Sequence, residues 1–577
     1  MDIQPDASTA RSRLYPPSPP ESRKIRVVAL VGHLSGPTWI AEALAAIVES
    51  DVAELLVVAA VAAPPPPRFP YLLEALLRFD ALLGGIARMV TVGCSLPGRL
   101  PETMFIACGA ASVAPQLMIA EPDLARLAAL RPDLVVTFGL PPADVRLGAI
   151  ATHGVWSFDR YADDPIRSAL WLLRPIMRGC AVTQGGLVVH MTDDGARHLL
   201  QPLQSATSQL SFARNRANQL LRVPALLVRA LRGLARGAAP TRHPAPDFAV
   251  PGNVAMLLFG ARFLIRALRR QLPRLGQIES WFIAIRRSET RIDPANPELG
   301  EFKRIEAPAG YFWADPCSVI HEGRAFVFVE EYVYATRRGR IAAIELDDGI
   351  SPMQAGTVLE APWHLSYPCL FEWDGAHYMT VESSESQSVS LYRAQRFPDR
   401  WDKVADLLRG WNIVDPTLHF DGTRWYLFAT VKESALSYDE RIWDDLFLFF
   451  ADTPLGPWQP HPMNPIVSDV RAARPAGRLF AHEGRLIRPS QDCSFDYGYA
   501  VVFNEVTALG VDTYAETTIG RIEPRWAARL KGCHTYSVSG DLEVLDAKIL
   551  IEHIRAHTHT GTHDELAPAN PLPDDDR

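Results

Sequence analysis

The stretch Tyr311-Phe312-Trp313-Ala314-Asp315-Pro316-Cys317-Ser318-Val319-Ile320-His321-Glu322-Gly323-Arg324-Ala325-Phe326-Val327-Phe328-Val329-Glu330-Glu331 decides the fold, because its parts return further along the chain. Gly323 marks a tight turn between two apolar runs, and Gly375, Gly422 and Gly484 mark turns of the same kind. Upstream of them stand Ala314-Asp315-Pro316, Ser366-Tyr367-Pro368, Val414-Asp415-Pro416 and Pro475-Ala476-Gly477. Seven residues past each glycine come Glu330, Glu382, Ala429 and Gln491, and one residue later Glu331, Ser383, Thr430 and Asp492. A looser fifth copy surrounds Gly540, with His534 before it. The spacings of 52, 47, 62 and 56 residues fit one four-stranded blade per copy. Five copies predict a five-bladed β-propeller over residues 279–552.

In such a fold the Asp-Pro or Tyr-Pro element opens the innermost strand of a blade, and the acidic position ends the next strand. Both sets are expected to converge on the axis. Asp315, Asp415 and Asp492, joined by Glu330 and Glu382, would repel one another there unless cations or sugar hydroxyls answered them. Arg474, Arg478, Arg488, His364, Gln491, His534 and Tyr367 are the expected polar partners, and an arginine pair suits a phosphate of an activated sugar. Trp313 and Trp363 could stack on a pyranose face, or pack between blades.

The motifs Tyr311 to Pro316, His364-Leu365-Ser366-Tyr367-Pro368, Asp415-Pro416-Thr417, Gly456-Pro457-Trp458, Arg474 to Phe480 and Arg488-Pro489-Ser490-Gln491-Asp492-Cys493 occur in order. With them the region resembles the propeller module of plant glucosamine inositolphosphorylceramide transferases, and of bacterial proteins that couple it to a formyltransferase-like domain. The resemblance implies sugar handling in glycolipid or surface-polysaccharide assembly. The module is also similar to the propellers of family 43 glycosidases, which implies Asp315 as base, Asp415 as modulator and Asp492 as acid. That chemistry needs two carboxyls roughly 5 to 9.5 Å apart. The family's acid is Glu, one methylene longer than Asp492.

The first half reads differently. Ile25 to Val31 and Leu55 to Val61 are continuous apolar strands separated by a helical stretch, and Leu134 to Phe138 follows another helix, so residues 24–200 predict a Rossmann-type α/β domain with a parallel sheet. Gly32 and Gly36 do not make a GxGxxG fingerprint. The segment from Ala151-Thr152-His153-Gly154 to Val188-Val189-His190-Met191 resembles the core of the folate-dependent formyltransferases. His153 is then a vestigial catalytic position, because Ala151 replaces the carboxamide that would polarise the formyl carbonyl, and Asp193-Asp194-Gly195 replaces the family's acidic element. Folate is therefore not expected, and no other cofactor is implied.

Between Arg214 and Arg274 twelve arginines face a single acid, Asp247, with leucines interleaved at helical spacing. Residues 201–278 are expected to form a basic helical connector, open to two readings. It could lie on an anionic membrane surface, or pack its leucines on neighbouring domains and solvate its arginines. The polar, proline-rich residues 1–23 and the end, 553–577, read as flexible tails.

Composition sets the outer bounds. Acidic residues number 66 against 58 basic, which excludes a general nucleic-acid binder. Seven scattered cysteines without a CxxC pair encode neither a disulfide framework nor a structural zinc site, and no metal site is expected. No secretory leader opens the chain, so a cytoplasmic protein, peripheral on the inner membrane face, is expected. The favoured reading is an enzyme that transfers or processes a sugar or sugar nucleotide in the propeller funnel. A non-catalytic glycan-binding protein, a family 43-like glycosidase and an amino-sugar formyltransferase are the alternatives.

Overall fold

The computed structural model describes residues 12–19, 21–61, 69–83, 93–96, 104–113, 116–140, 146–158, 170, 172–190, 197–242, 250–272, 276–300, 302–433 and 444–552. The tail 553–577 and Asp193-Asp194-Gly195 lie outside the described residues. The chain divides into two compact units, one over Pro17–Arg269 and the other over the remaining described segments.

The unit over Pro17–Arg269 is built on an eight-stranded sheet. Its order from edge to edge is Thr241–Arg242, Arg197–Ala206, Val182–His190, Val155–Phe158, Leu134–Phe138, Ile25–Val31, Ala53–Val61 and Met104–Cys108. The strands from Val155–Phe158 to Met104–Cys108 run parallel, and the other three are antiparallel. Successive side chains of a strand point to opposite faces, and both faces are apolar here. Val27, Ala29 and Val31 enter one core with Leu44 and Ile47 of helix Thr38–Glu49. Val28 and Leu30 enter a second core with Leu124 and Leu127 of helix Glu121–Ala129.

Residues 201–278 are not a separate connector. Strand Arg197–Ala206 belongs to the sheet, and helix Val223–Ala235 buries Leu226, Leu227 and Leu231 in the first core. Its arginines do not form a solvated stripe: Arg222 and Arg229 are buried, and Arg232 pairs with Asp51 at 2.5 Å. The α/β unit thus extends well past residue 200, because the leucine spacing that looked like a linker is the apolar face of a covering helix.

The other unit is the propeller, with five sheets around one axis. Blade 1 comprises Tyr311–His321, Arg324–Val333, Arg338–Leu346 and Pro352–Leu359, and blade 2 Ser366–Trp373, Ala376–Glu382, Ser388–Arg396 and Arg400–Arg409. Blade 3 is led by Asn412–Phe420, Trp425–Lys432 and Asp445–Ala451, and blade 4 by Arg474–Pro475, Arg485–Asp492, Ala500–Leu509 and Tyr514–Ile522. Blade 5 joins the two ends of the unit: Gln277–Arg287 pairs with Leu542–Glu552 along its whole length, flanked by Lys303–Ile305 and Tyr536–Ser539. This pairing closes the ring without an open edge. Apolar clusters fill the gaps between blades, as where Phe328 and Ile341 meet Leu370 and Met379.

Residues 12–16, expected in a flexible tail, form part of the propeller unit. Leu14 is buried beside Leu408 and Phe447, and Ser12 exchanges hydrogen bonds with Arg409. An apolar Leu-Tyr pair in a polar stretch finds a slot between blades 2 and 3.

Candidate functional site

The same backbone irregularity opens the inner strands of blades 1, 2 and 3. Pairing shifts between Ala314 and Cys317, between Ser366 and Cys369 and between Val414 and Thr417. At these bulges Asp315, Tyr367 and Asp415 adopt φ of 51°, 46° and 51°. Left-handed backbone at a non-glycine residue costs about 1 to 3 kcal/mol and gathers at functional sites. The bulge re-aims each side chain toward the axis. Across from the bulges, Glu330 pairs with Ala314, Glu382 with Ser366 and Thr430 with Val414, while Gln491 pairs with Arg474. Asp546 of blade 5 stands opposite Thr535.

The outcome is a buried ionisable cluster. Arg474 donates to both oxygens of Asp415, Nη2 at 3.2 Å, and lies 3.6 Å from Glu382. Gln491 Nε2 donates to Asp415 Oδ2 at 2.9 Å, and the Asp415 amide donates to Glu382 Oε2 at 3.2 Å. Asp315 accepts from the Tyr367 amide at 3.2 Å and from the Thr535 hydroxyl at 3.0 Å. His534 is held between two acids, with Nδ1 2.6 Å from Asp546 and Nε2 3.4 Å from Asp315, and it stacks on Trp281 at 4.0 Å. Tyr497 lies under the Arg474 guanidinium, 4.8 Å from ring centre to carbon.

Burial and crowding set the protonation. Asp315 is pushed up to about 6, first by burial and then by Asp415 and Asp546, against the lowering pull of His534 and Arg474. Burial, followed by the neighbouring carboxyls, drives Glu330 and Glu382 well above the usual range. Burial opposes the charge on His534, yet Asp546 and Asp315 raise it above the ordinary imidazole value. The cluster therefore holds protons on its carboxyls to higher pH than free carboxyls do, around the Arg474 guanidinium. Glu330 connects it to the surface: His364 Nε2 lies 3.4 Å from Glu330, its Nδ1 accepts from the Gly339 amide at 2.8 Å, and its side chain is 33% exposed. A cavity of about 10 Å³ lies beside Asp315 and Tyr367, bordered also by Arg478 and Gly477. That is room for one water molecule.

Asp315, His534 and Asp546 bring ligand atoms within 4.8 Å of one another, a spacing a metal ion could use. Their oxygens are already met by protein hydrogens: Asp546 accepts from the amides of Asp315, His534 and Thr535.

Several expected members stand elsewhere. Asp492 follows Gln491 on an extended strand and so faces the other way, where Arg521 holds it at 2.6 Å. It does not supply the third axial carboxyl. Arg488 is bound by Glu516 through two contacts of 2.7 Å, away from the cluster. Arg478 donates to the carbonyls of Leu370 and Ser318 and ties inner strands together. Trp313 is packed between blades 5 and 1 with its Nε1 on Glu331, and Trp363 packs between blades 1 and 2, so neither presents a face for stacking. Tyr367 turns its hydroxyl to Thr417 at 2.8 Å and accepts from the Gly477 amide at 2.7 Å.

His153 stands just before strand Val155–Phe158, its amide bonded to the Asp133 carbonyl. That is the amino-terminal edge of the parallel strands, whereas ligands of open α/β sheets bind at the carboxyl edge. A cavity of about 100 Å³ beside it is lined mainly by apolar groups, including Trp156, Val189 and Leu234.

Fold and cluster together define a five-bladed propeller with an ionisable axial site. A family model described as "Glucosamine inositolphosphorylceramide transferase 1, N-terminal" matches residues 277–537. Glucosamine inositolphosphorylceramide transferase 1 of rice (Oryza sativa subsp. japonica) is 34% identical over 327 residues, covering 50% of this chain and 42% of that protein. Its counterpart of the same name in Arabidopsis thaliana is 32% identical over 212 residues, 36% of this chain and 27% of that one. The chain thus spans less than half the length of these relatives. Among solved structures, a GH43_1 enzyme from Xanthomonas citri matches at 12% identity and a TM-score of 0.31, covering 44% of this chain and 92% of its own. An alpha-L-arabinanase of Cellvibrio cellulosa matches at 16% identity and 0.28, covering 36% and 77%.

Proposed function

We propose that this chain is a carbohydrate-active protein of glycolipid or surface-polysaccharide assembly, which transfers or processes a sugar at the axial cluster of its propeller. One observation carries the reading: Asp315, a buried carboxyl raised to about 6, shares a cluster with Asp415, whose carboxylate is gripped by Arg474. A carboxyl that holds its proton up to about 6, beside one hydrogen-bonded to a guanidinium, is the kind of pair acetal chemistry uses. In this assignment Asp315 delivers or receives the proton, Asp415 stabilises positive charge developing on the sugar, and Glu330 with His364 relays protons to solvent. The substrate class we assign follows the names of the plant relatives, glucosamine passing to inositolphosphorylceramide, and a nucleotide-borne donor is our own addition to it. The unpaired cysteines favour the cytoplasm as the compartment. For the α/β unit, a formyltransferase-like scaffold without formyl chemistry rests on the sequence resemblance alone, and the place of His153 at the amino-terminal edge of the sheet counts against a former catalytic role.

The test is an assay of the full chain with a panel of nucleotide sugars, with and without inositol phosphorylceramide, read by mass spectrometry. Turnover lost in Asp315→Asn and Asp415→Asn, with the fold intact, is the expected result. A second reading, glycan binding away from the axial cluster and without turnover, is favoured by the one-water size of the cavity beside Asp315, which is too small for a sugar ring. It predicts no product from any donor and glycan affinity within a few-fold of wild type in both variants.

A further inference from the structure

Helix Asn253–Gln271 has one face held by its own unit and the opposite face open. Met256 and Phe259 are buried against Leu73, Leu170, Leu173 and Ile176, and Arg266 fastens the helix through the Ile176 carbonyl at 2.8 Å and Gln209 at 2.9 Å. On the other side Val254, Leu257, Leu258, Leu264, Ile265 and Leu268 are each between 47% and 72% exposed, and Leu272 continues them at 58%. At 100° per residue these side chains fall in one stripe along the whole helix. Large aliphatic groups exposed in such a row mark an interaction surface.

The flank of the stripe says what kind. Arg262 and Arg269 are exposed beside it, and the sequence from Phe248 to Ser280 contains five arginines and one acid, Glu279, which lies beyond the helix. A second copy of this chain docked through the same face would bring arginine against arginine with no acid on the helix to answer. A flat anionic surface answers both features: its interior takes the leucines and its headgroups take the guanidiniums. No helix among the described residues is long and apolar enough to cross a bilayer, so the helix would lie along it. We propose that helix Asn253–Gln271 docks the protein on a membrane surface rich in anionic phospholipid, with the Val254 to Leu272 stripe inserted at the headgroup boundary. Among the described residues of the basic stretch 214–274, only this second half has the exposed apolar stripe that surface binding needs. The inference does not depend on the sugar chemistry proposed above.

Flotation of the full chain with vesicles tests it. Vesicles of phosphatidylcholine mixed with phosphatidylglycerol should carry the protein upward, pure phosphatidylcholine should carry little, and added salt should weaken the binding. Leu257→Ser with Leu258→Ser, at exposed positions, should lower partition about tenfold while circular dichroism stays unchanged. Arg262→Glu with Arg269→Glu should remove the preference for anionic vesicles. The proposal is overturned if wild type ignores both vesicle types, or if the leucine variant floats as well as wild type. A dimer that the leucine substitutions dissociate, with no flotation, would reassign the face to contact between copies.

Discussion

Arg474 grips Asp415 at two points, Nε on one carboxylate oxygen and Nη2 on the other, the second at 3.2 Å. Both side chains are buried, so each is the other's main counter-charge. Removing one partner of a buried pair leaves an uncompensated charge and costs about 3 to 5 kcal/mol. Arg474→Met should therefore destabilise the propeller by that amount in urea titration. Arg474→Lys should recover part of it, since the charge remains but the fork does not. The double variant Arg474→Met with Asp415→Asn should be less damaged than Arg474→Met alone, which a double-mutant cycle would measure directly.

Asp315 makes the stability of the propeller depend on pH. Its folded value, about 6, lies above the ordinary 3.8, so the folded state binds more protons than the unfolded chain between those values. The associated stability is complete below the ordinary value and is lost as pH rises through about 6. His534, also raised, acts in the same direction. Replacing Asp315 by Asn removes the ionisation. The melting temperature of Asp315→Asn relative to wild type should rise by several degrees between pH 4 and pH 7.5, as read by scanning calorimetry. A constant difference across that range would show that Asp315 ionises normally.

The blade count and the axial positions of Asp315, Tyr367 and Asp415 were legible because the bulge residue precedes the turn glycine by eight residues in blades 1 and 2 and by seven in blade 3. Two departures hid the rest. In blade 1 the turn between His321 and Arg324 places glycine second, whereas in blade 5 the turn between Ser539 and Leu542 places Gly540 first. Glu330 lies six residues past Arg324, the first residue after its turn, whereas Asp546 lies only four past Leu542, so Asp546 falls outside the spacing of blade 1. In blade 3 a four-residue turn between Phe420 and Trp425 moves the position to Thr430. Asp492 carries the charge expected of an axial residue, but the alternation of an extended strand gives the axial place to Gln491. Tyr497 carries no repeat signal, since its place in the cluster arises from edge-on contact with Trp281 and from the Arg474 guanidinium over its ring.

Gly477 is a point where blade 4 passes close to blade 5. Its φ is 122°, and a Cβ added there would stand 2.1 Å from the Tyr536 carbonyl oxygen. Backbone must move to admit it, and the bond from the Gly477 amide to Tyr367 would be lost with that movement. Gly477→Ala should cost about 3 kcal/mol or more. Gly323→Ala provides the contrast, with φ of 77° and open space around it. Its cost should be only the left-handed backbone penalty, about 1 to 2 kcal/mol. Chemical denaturation of the two variants would separate steric exclusion from backbone preference.

Leu14 tests whether the start of the chain is part of the propeller. Its side chain is 4% exposed, its carbonyl accepts from Asn464 at 3.1 Å, and the neighbouring Tyr15 ring meets Phe447 edge-on at 6.0 Å. Trp411 donates to the Ser12 carbonyl at 2.6 Å, so backbone and side chains are both engaged. Truncating a buried leucine costs about 2 to 5 kcal/mol, at the lower end where the slot can collapse. Leu14→Ala should lower the propeller's melting temperature by several degrees, and Ser18→Ala, four residues on, should serve as a control with little effect. A flexible tail would leave both variants indistinguishable from wild type. The packed segment requires that they differ, because the slot between blades 2 and 3 is lined by Leu408, Ile413 and Phe447, which would face water without Leu14.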